Sequence, residues 1–268
     1  MKKLAIMTSL AASLVITGCT SSTVTSTSGI DRKQLLVVSE GEINALSAQS
    51  YAQTLSQAQS KGVLVASSNA QYKRLQTIAG KLIPQAKHLR PEATQWKWEV
   101  NLLKSDELNA YCAPGGKIMF YTGIIDRLKL SDDEIAAIMG HEMAHALREH
   151  GRENVSRQYA QQTGLSLIAS IAGLSQGQAE LASLVGQVGL SLPNSRTQET
   201  EADVMGLEMM ARAGYNPNAS VTLWQKMMAA NNSGSPQFLS THPSPTNRIQ
   251  NLQSLIPKMM PLYQQAKR

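Results

Sequence analysis

Cysteine is almost missing from the chain: its 268 residues hold only Cys19 and Cys112, too few for a disulfide framework. Aromatic residues are scarce at 4%, and lysines and arginines are scattered rather than clustered. The stacking platforms and basic stripes of a nucleic-acid binder are therefore lacking, and no nucleic-acid partner is expected. Long apolar runs are missing as well. Between residues 158 and 195, where Glu180 is the single formal charge, glycines and polar residues interrupt every apolar stretch short of the roughly 18 residues of a membrane span. What remains is 42% hydrophobic and 16% charged, enough to bury a core in one domain or in a domain with a small appendage.

The first 18 residues, MKKLAIMTSLAASLVITG, read as an export leader: two lysines, a short apolar stretch, then small residues before Cys19. Ile16, Thr17, Gly18 and Cys19 resemble a bacterial lipobox, which implies that Cys19 becomes the lipidated first residue of an envelope protein. Thr20 in place of an aspartate resembles an outer-membrane address facing the periplasm. Loss of Lys2 and Lys3 with the leader lowers the formal charge from +6 to +4. Cys112 is then the lone thiol, expected to act as a small buried hydrophobe. Residues 19–29 read as a lipidated Ser/Thr tether, and 30–268 as one domain with its core at about 69–258.

Helical patterns cover roughly 39–60 and 69–88. The period then changes: Trp96, Trp98, Val100 and Leu102 alternate as in a half-buried strand. NAYCAPGGKIMFYTG adds two extended pieces around a Pro-Gly-Gly turn at 114–116, which predicts a small antiparallel sheet. Ser131 and Glu134 make a capping-box signature for a helix running to about 150. Small-residue helices at 158–195 are expected to form a mobile cover over a cleft, and further helices follow at about 197–213, 219–231 and 244–256.

The chemistry concentrates in GHEMAHALREH, residues 140–150. On a helix, positions four apart stand on one face, so His141 and His145 can turn ring nitrogens toward one ion about 2 Å away. Glu142, about 100° round, reaches a water beside the ion but is poorly placed as a ligand. The rest of the motif helix is apolar or small, and buried imidazoles and carboxylates without partners would cost several kcal/mol. A zinc ion would offset that cost. His150 does not fit the metzincin spacing, and like His88 it is expected at the surface. In RTQETEADVMG, Glu199 and Asp203 share a face while Glu201 points away. Glu199 is the expected third ligand, with Asp203 orienting a ligand histidine.

At this point the chain resembles the zinc metallopeptidase family of the CAAX prenyl proteases, HtpX, BepA and LoiP. HEMAH matches that family's helix. Ser195, Arg196, Glu199, Ala202 and Asp203 match its SRxxExxAD segment; Asn109, Ala110, Pro114, Gly115 and Gly116 match its sheet segment; His242, Pro243 and Arg248 match its HPxxxxR segment. Lacking several membrane spans or helical repeats, the chain looks like the compact, lipid-tethered LoiP branch. The resemblance implies an α+β, mainly α, zincin-like (gluzincin) metallopeptidase fold with one zinc per chain. His141, His145 and Glu199 would be its ligands, with Arg196 and Arg248 alongside Asp203 around them.

Glu142 would then be the general base, and His242 either an oxyanion donor or a zinc ligand in a closed resting state. The segment Gly116, Lys117, Ile118, Met119, Phe120 is the expected edge for pairing with an extended peptide, reading backbone rather than side chains. Polypeptide substrates, unfolded or misassembled, suit such a site. The alternative is an envelope chaperone that keeps the zinc fold to bind clients.

Overall fold

A computed structural model describes residues 20–21, 29–166, 177–187, 193–231, 237–243 and 247–268. The lipobox cysteine, Cys19, lies outside the described residues. Thr20–Ser21 (β1) pairs antiparallel with Gln34–Leu35 (β2), and a long helix Glu40–Ser60 (α1) starts under the side-chain cap of Ser39. Asn69 caps Ala70–Leu82 (α2), whose Leu75, Ile78, Ala79 and Leu82 are buried. Two short 3-10 turns, Ile83–His88 and Pro91–Gln95, each opened by a proline, lead to the sheet.

The sheet holds Glu99–Leu103 (β3), Ala110–Ala113 (β4) and Lys117–Tyr121 (β5). Its order is β3-β5-β4, with β3 parallel and β4 antiparallel to β5. The sheet is therefore mixed, not antiparallel as expected. Residues Gly116, Lys117, Ile118, Met119 and Phe120 do not form a free edge either: β5 is flanked on both sides, and Gly116 accepts a hydrogen bond from the Glu99 N–H. The tight turn explains half of this. Gly115 and Gly116 take φ of +78° and +83°, conformations that cost glycine little, so β5 folds back on β4. The β3 strand, separated by the 104–109 segment, then covers β5 from the other side, leaving β4 as the edge near the helices.

Thr122–Arg127 (α3) leads to Asp132–Leu147 (α4), where Ser131 and Glu134 complete the expected capping box. Helix α4 stops before residue 150, because Glu149 adopts φ +56° and His150–Ser166 (α5) starts on a new axis. Gly177–Gly186 (α6) follows; residues 167–176 and 188–192 of the expected cover lie outside the described set. Arg196–Arg212 (α7) opens with a second capping box, Ser195 with Gln198. Ala219–Asn231 (α8), Gln237–Thr241 (α9) and Arg248–Ala266 (α10) complete the chain. Helix α10 continues past 256 through Pro257 and Pro261, two prolines one turn apart that remove neighbouring N–H groups rather than scattering the defect.

The main core joins α2, the sheet, α4, α7, α8 and α10. Helices α4 and α7 cross in backbone contact at Gly140 and Gly206: a Cβ on Gly206 would lie 2.8 Å from the His141 nitrogen, and one on Gly140 2.9 Å from the Gly206 oxygen. That approach sets the helices that carry His141, His145 and Glu199 at a close, fixed separation. Among the described residues no helix is long and apolar enough to cross a membrane.

Candidate metal centre

Helix α4 presents His141, Glu142 and His145, and α7 presents Glu199 and Asp203 across the glycine contact. His242 arrives just after α9, and Arg248 opens α10. His141, His145, Glu199 and His242 are all buried, with their ligand-type atoms within 4.8 Å of one another. The Nε2 atoms of His141 and His145 are 3.1 Å apart, and His242 Nδ1 is 3.3 Å from His141 Nε2. Glu199 Oε1 stands 3.0 Å from His242 Nδ1 and 3.3 Å from His145 Nε2, while its Oε2 is 3.3 Å from His141 Nε2.

These separations fit a tetrahedral ion. With bonds of about 2.0–2.1 Å, ligand atoms stand about 3.3–3.4 Å apart, close to the five separations given above, those to Glu199 being shared between its two oxygens. The donor set agrees. Asp203 Oδ1 lies 3.1 Å from His141 Nδ1; a carboxylate accepts, so the ring proton sits on Nδ1 and Nε2 offers a lone pair to the cluster. Lone pairs of imidazole and carboxylate thus converge in a buried space, an arrangement that a cation stabilises. Nearby, Glu142 Oε1 is buried without a hydrogen-bond partner among the described residues, although His242 Nε2 is 3.4 Å away. A buried carboxylate oxygen with no bond is costly unless something in the cleft supplies one.

Electrostatics follow the same geometry. Burial opposes charge on His141, but hydrogen bonds to Asp203 and Glu199 outweigh it and raise its pKa to about 9; the second proton, on Nε2 toward Glu199, is the one a bound cation would displace, freeing the lone pair. Burial holds His145 well below the ordinary imidazole value. For Glu199, burial is outweighed by the histidines, led by His242, which keep its carboxyl well below the usual range. Burial pushes Glu142 up, against the pull of His242 and His141, the direction that suits a proton acceptor working near neutral pH.

Arg248 ties the acids together. Its guanidinium donates to Glu199 Oε2 at 2.9 Å and Asp203 Oδ1 at 2.5 Å, and it stacks 3.6 Å from the centroid of the Trp224 ring. Arg196 does not join it. Its side chain is exposed in the first turn of α7, ahead of the stretch that packs on α4, and it meets no site residue among the described contacts.

His150, expected at the surface, is buried instead, and so is Glu201, expected only to point away from Glu199. His150 is fully buried, with Nδ1 2.8 Å from His145 Nδ1 and Nε2 2.8 Å from Glu201 Oε2. Glu201 points away from Glu199, as the helical period requires, yet meets other protein there: Arg32 donates to both its oxygens at 2.8 and 3.0 Å. Arg32 also grips Glu153 at 2.6 Å and 2.9 Å. No spacing rule links residues 32, 150, 153 and 201, so periodicity had no means of finding them. His88, by contrast, is exposed.

The cleft beside the cluster is bounded by Cys112, Pro114 and Gly115 from the sheet, Glu142 and His145 from α4, and His242. Cys112 and Glu142 line the same cleft, and the Cys112 backbone N–H favours the ionised Glu142 carboxylate, so β4 runs alongside that carboxylate. Cys112 itself is buried and free, its thiol pushed up by burial.

The chain also resembles characterised proteins over these elements. It is 37% identical over 164 residues to mitochondrial metalloendopeptidase OMA1 of Schizosaccharomyces pombe, covering 60% of this chain and 48% of that one. It is 34% identical over 178 residues to the Saccharomyces cerevisiae protein of the same name, covering 63% and 50%. With the beta-barrel assembly-enhancing protease of Escherichia coli it shares 27% identity over 174 residues, 62% of this chain and 36% of that. The chain spans about half the length, or less, of these relatives. The model of one family, Peptidase family M48, matches residues 69–256, from the N-cap of α2 into α10 and so across every residue of the metal cluster; to that family the chain belongs.

Proposed function

We propose that the chain is a zinc-dependent endopeptidase of the bacterial cell envelope that cleaves extended or misfolded polypeptides in a quality-control role. The observation that carries this reading is the convergence of His141, His145, Glu199 and His242 beside the unbonded Glu142 oxygen. A structural metal site gains nothing from a proton acceptor at its edge; a hydrolytic site requires one. When bound, zinc would supply Lewis-acid polarisation of the scissile carbonyl and the attacking water.

The protein's own groups do the rest. Glu142 Oε1 accepts the proton of the attacking water and returns it to the leaving amine. Glu142 shares the cleft with Cys112 of β4, and the outer edge of β4, rather than β5, is the strand we propose to pair with an extended substrate backbone. Asp203 holds the His141 proton on Nδ1, and Arg248 fixes Asp203 against Glu199. His242 Nδ1 lies 3.3 Å from His141 Nε2 and 3.0 Å from Glu199 Oε1, so of its two expected roles that of a fourth ligand in a resting state fits the geometry better. A hydrolytic site needs that position free for water, so His242 would have to yield it on substrate binding.

The envelope setting rests on the leader at residues 1–18, the lipobox at Cys19 and the tether to residue 29, with residues 30–268 as the peptidase domain. An outer-membrane, periplasm-facing location is part of the same proposal, and the Escherichia coli relative, by name a protease that enhances beta-barrel assembly, supports polypeptide clients. The test is one purification of the full chain: zinc content, then casein cleavage with and without chelator, beside Glu142→Gln. The variant should keep its zinc and lose about 10²-fold or more of the activity. Undiminished cleavage by Glu142→Gln, or cleavage unaffected by zinc removal, would refute the reading.

A further inference from the structure

His150 and Glu201 form a chain that ends on a metal ligand, and its hydrogen-bond directions can be worked out. Glu201 Oε2, 2.8 Å from His150 Nε2, can only accept while ionised, so the His150 proton lies on Nε2. A neutral imidazole has one N–H, and burial disfavours a second proton on a ring that is fully enclosed. His150 Nδ1 is therefore an acceptor. Its neighbour at 2.8 Å, His145 Nδ1, must be the donor. That leaves His145 Nε2 unprotonated, facing the metal cluster.

We infer that His150 is a positioning residue for the metal centre, relaying the Glu201 carboxylate to His145 and fixing the tautomer in which His145 can bind a metal. The inference rests on the metal-binding reading given above. It makes the two α4 histidines equivalent by different routes: Asp203 holds His141 directly, whereas Glu201 holds His145 through an intervening ring.

The relay is anchored from outside. Arg32 bonds both Glu201 oxygens and, from the same guanidinium, Glu153 on α5. Arg148 donates to the Arg32 carbonyl and to the Gln34 amide oxygen, while the Gln34 amide donates to the Arg148 carbonyl at 2.8 Å and to Glu153 at 3.0 Å. The segment between the proposed tether and α1 is thereby part of the scaffold that aims His145.

The experiment measures zinc affinity of the purified full chain by competition with a chromophoric chelator, with no substrate present. His150→Leu deletes the acceptor and should weaken zinc binding by about 10- to 100-fold, the usual cost of losing such an outer partner. His150→Asn places an amide oxygen near the Nδ1 position and should recover most of that loss. Glu201→Gln, close in shape to the native side chain, gives an intermediate weakening and serves if His150→Leu does not fold. Wild-type affinity in His150→Leu, or in Glu201→Gln if only that variant folds, would overturn the relay. Equal losses in His150→Leu and His150→Asn would also overturn it, leaving a packing role. Absence of zinc binding by the wild-type chain would instead overturn the metal reading itself.

Discussion

Two helix pairs bound the site, and they are built differently. Helices α4 and α7 touch backbone to backbone at Gly140 and Gly206, and their buried residues belong to the main core. Helices α5 and α6 lean on α1 through a separate, smaller cluster of Val38, Ile43, Val155, Leu181, Leu184 and Val185. The first pair carries three of the four candidate ligands, His141, His145 and Glu199; the second contributes Gly151, Arg152 and Asn154 to the cleft lining. Metal geometry tolerates little displacement, so the ligands sit where packing leaves no slack. Under the proposed endopeptidase reading, a wall that admits a polypeptide is better placed on a small cluster of its own, whose opening leaves the main core intact.

The sharpest way to break this contrast is Gly206→Val. Its Cβ would collide with the backbone of Gly140 and His141, atoms that no rotamer change can move aside. A loss of about 3 kcal/mol in urea unfolding is expected, at the upper end of overpacking costs, together with weaker zinc binding as α4 and α7 separate. Wild-type stability would show that the crossing is looser than its geometry indicates. Leu184→Ala probes the other pair. Truncating this side chain in a small cluster should cost about 2 kcal/mol, the low end for such changes, with zinc affinity unchanged. If zinc affinity fell in step with stability, the two regions would be one cooperative unit.

The ligand-bearing pair was also the more legible in the sequence. The four-residue spacing of His141 and His145, the capping box at Ser131, and the shared face of Glu199 and Asp203 are all local facts of one helix, and the structure keeps each of them. What local pattern could not supply was neighbourhood. Strand periodicity finds β3, β4 and β5 but does not say that β3 lies parallel to β5 and covers its free side. Helical period turns Glu201 away from the cluster correctly, yet treats that direction as solvent, whereas Arg32, Arg148 and His150 fill it. The break at Glu149, a non-glycine residue at φ +56°, had no turn signature of its own, and it is this break that folds His150 back against His145.

The smallest expected effect concerns acid. Burial alone would raise the Glu153 pKa, but hydrogen bonds from Arg32, Gln34 and Gln198 outweigh it and lower the carboxyl to about 2, against an ordinary value of 4.5. A carboxyl depressed in the folded state adds stability that is complete above its unfolded value and drains away as pH falls toward its folded one. Between pH 4.5 and 2 the clamp joining the N-terminal segment, α5 and α7 should therefore weaken. Glu153→Gln should cost about 1–2 kcal/mol at neutral pH, through lost charge-assisted bonds, and the midpoint of its thermal unfolding should fall less steeply than that of the wild type across this acid window. Glu201, also lowered to about 2 against burial by His150 and Arg32, remains in the variant, so part of the slope persists. Identical slopes in the two proteins would assign the acid sensitivity elsewhere and leave α5 held by its aliphatic contacts and by the bonds of Arg152, Asn154 and Ser156.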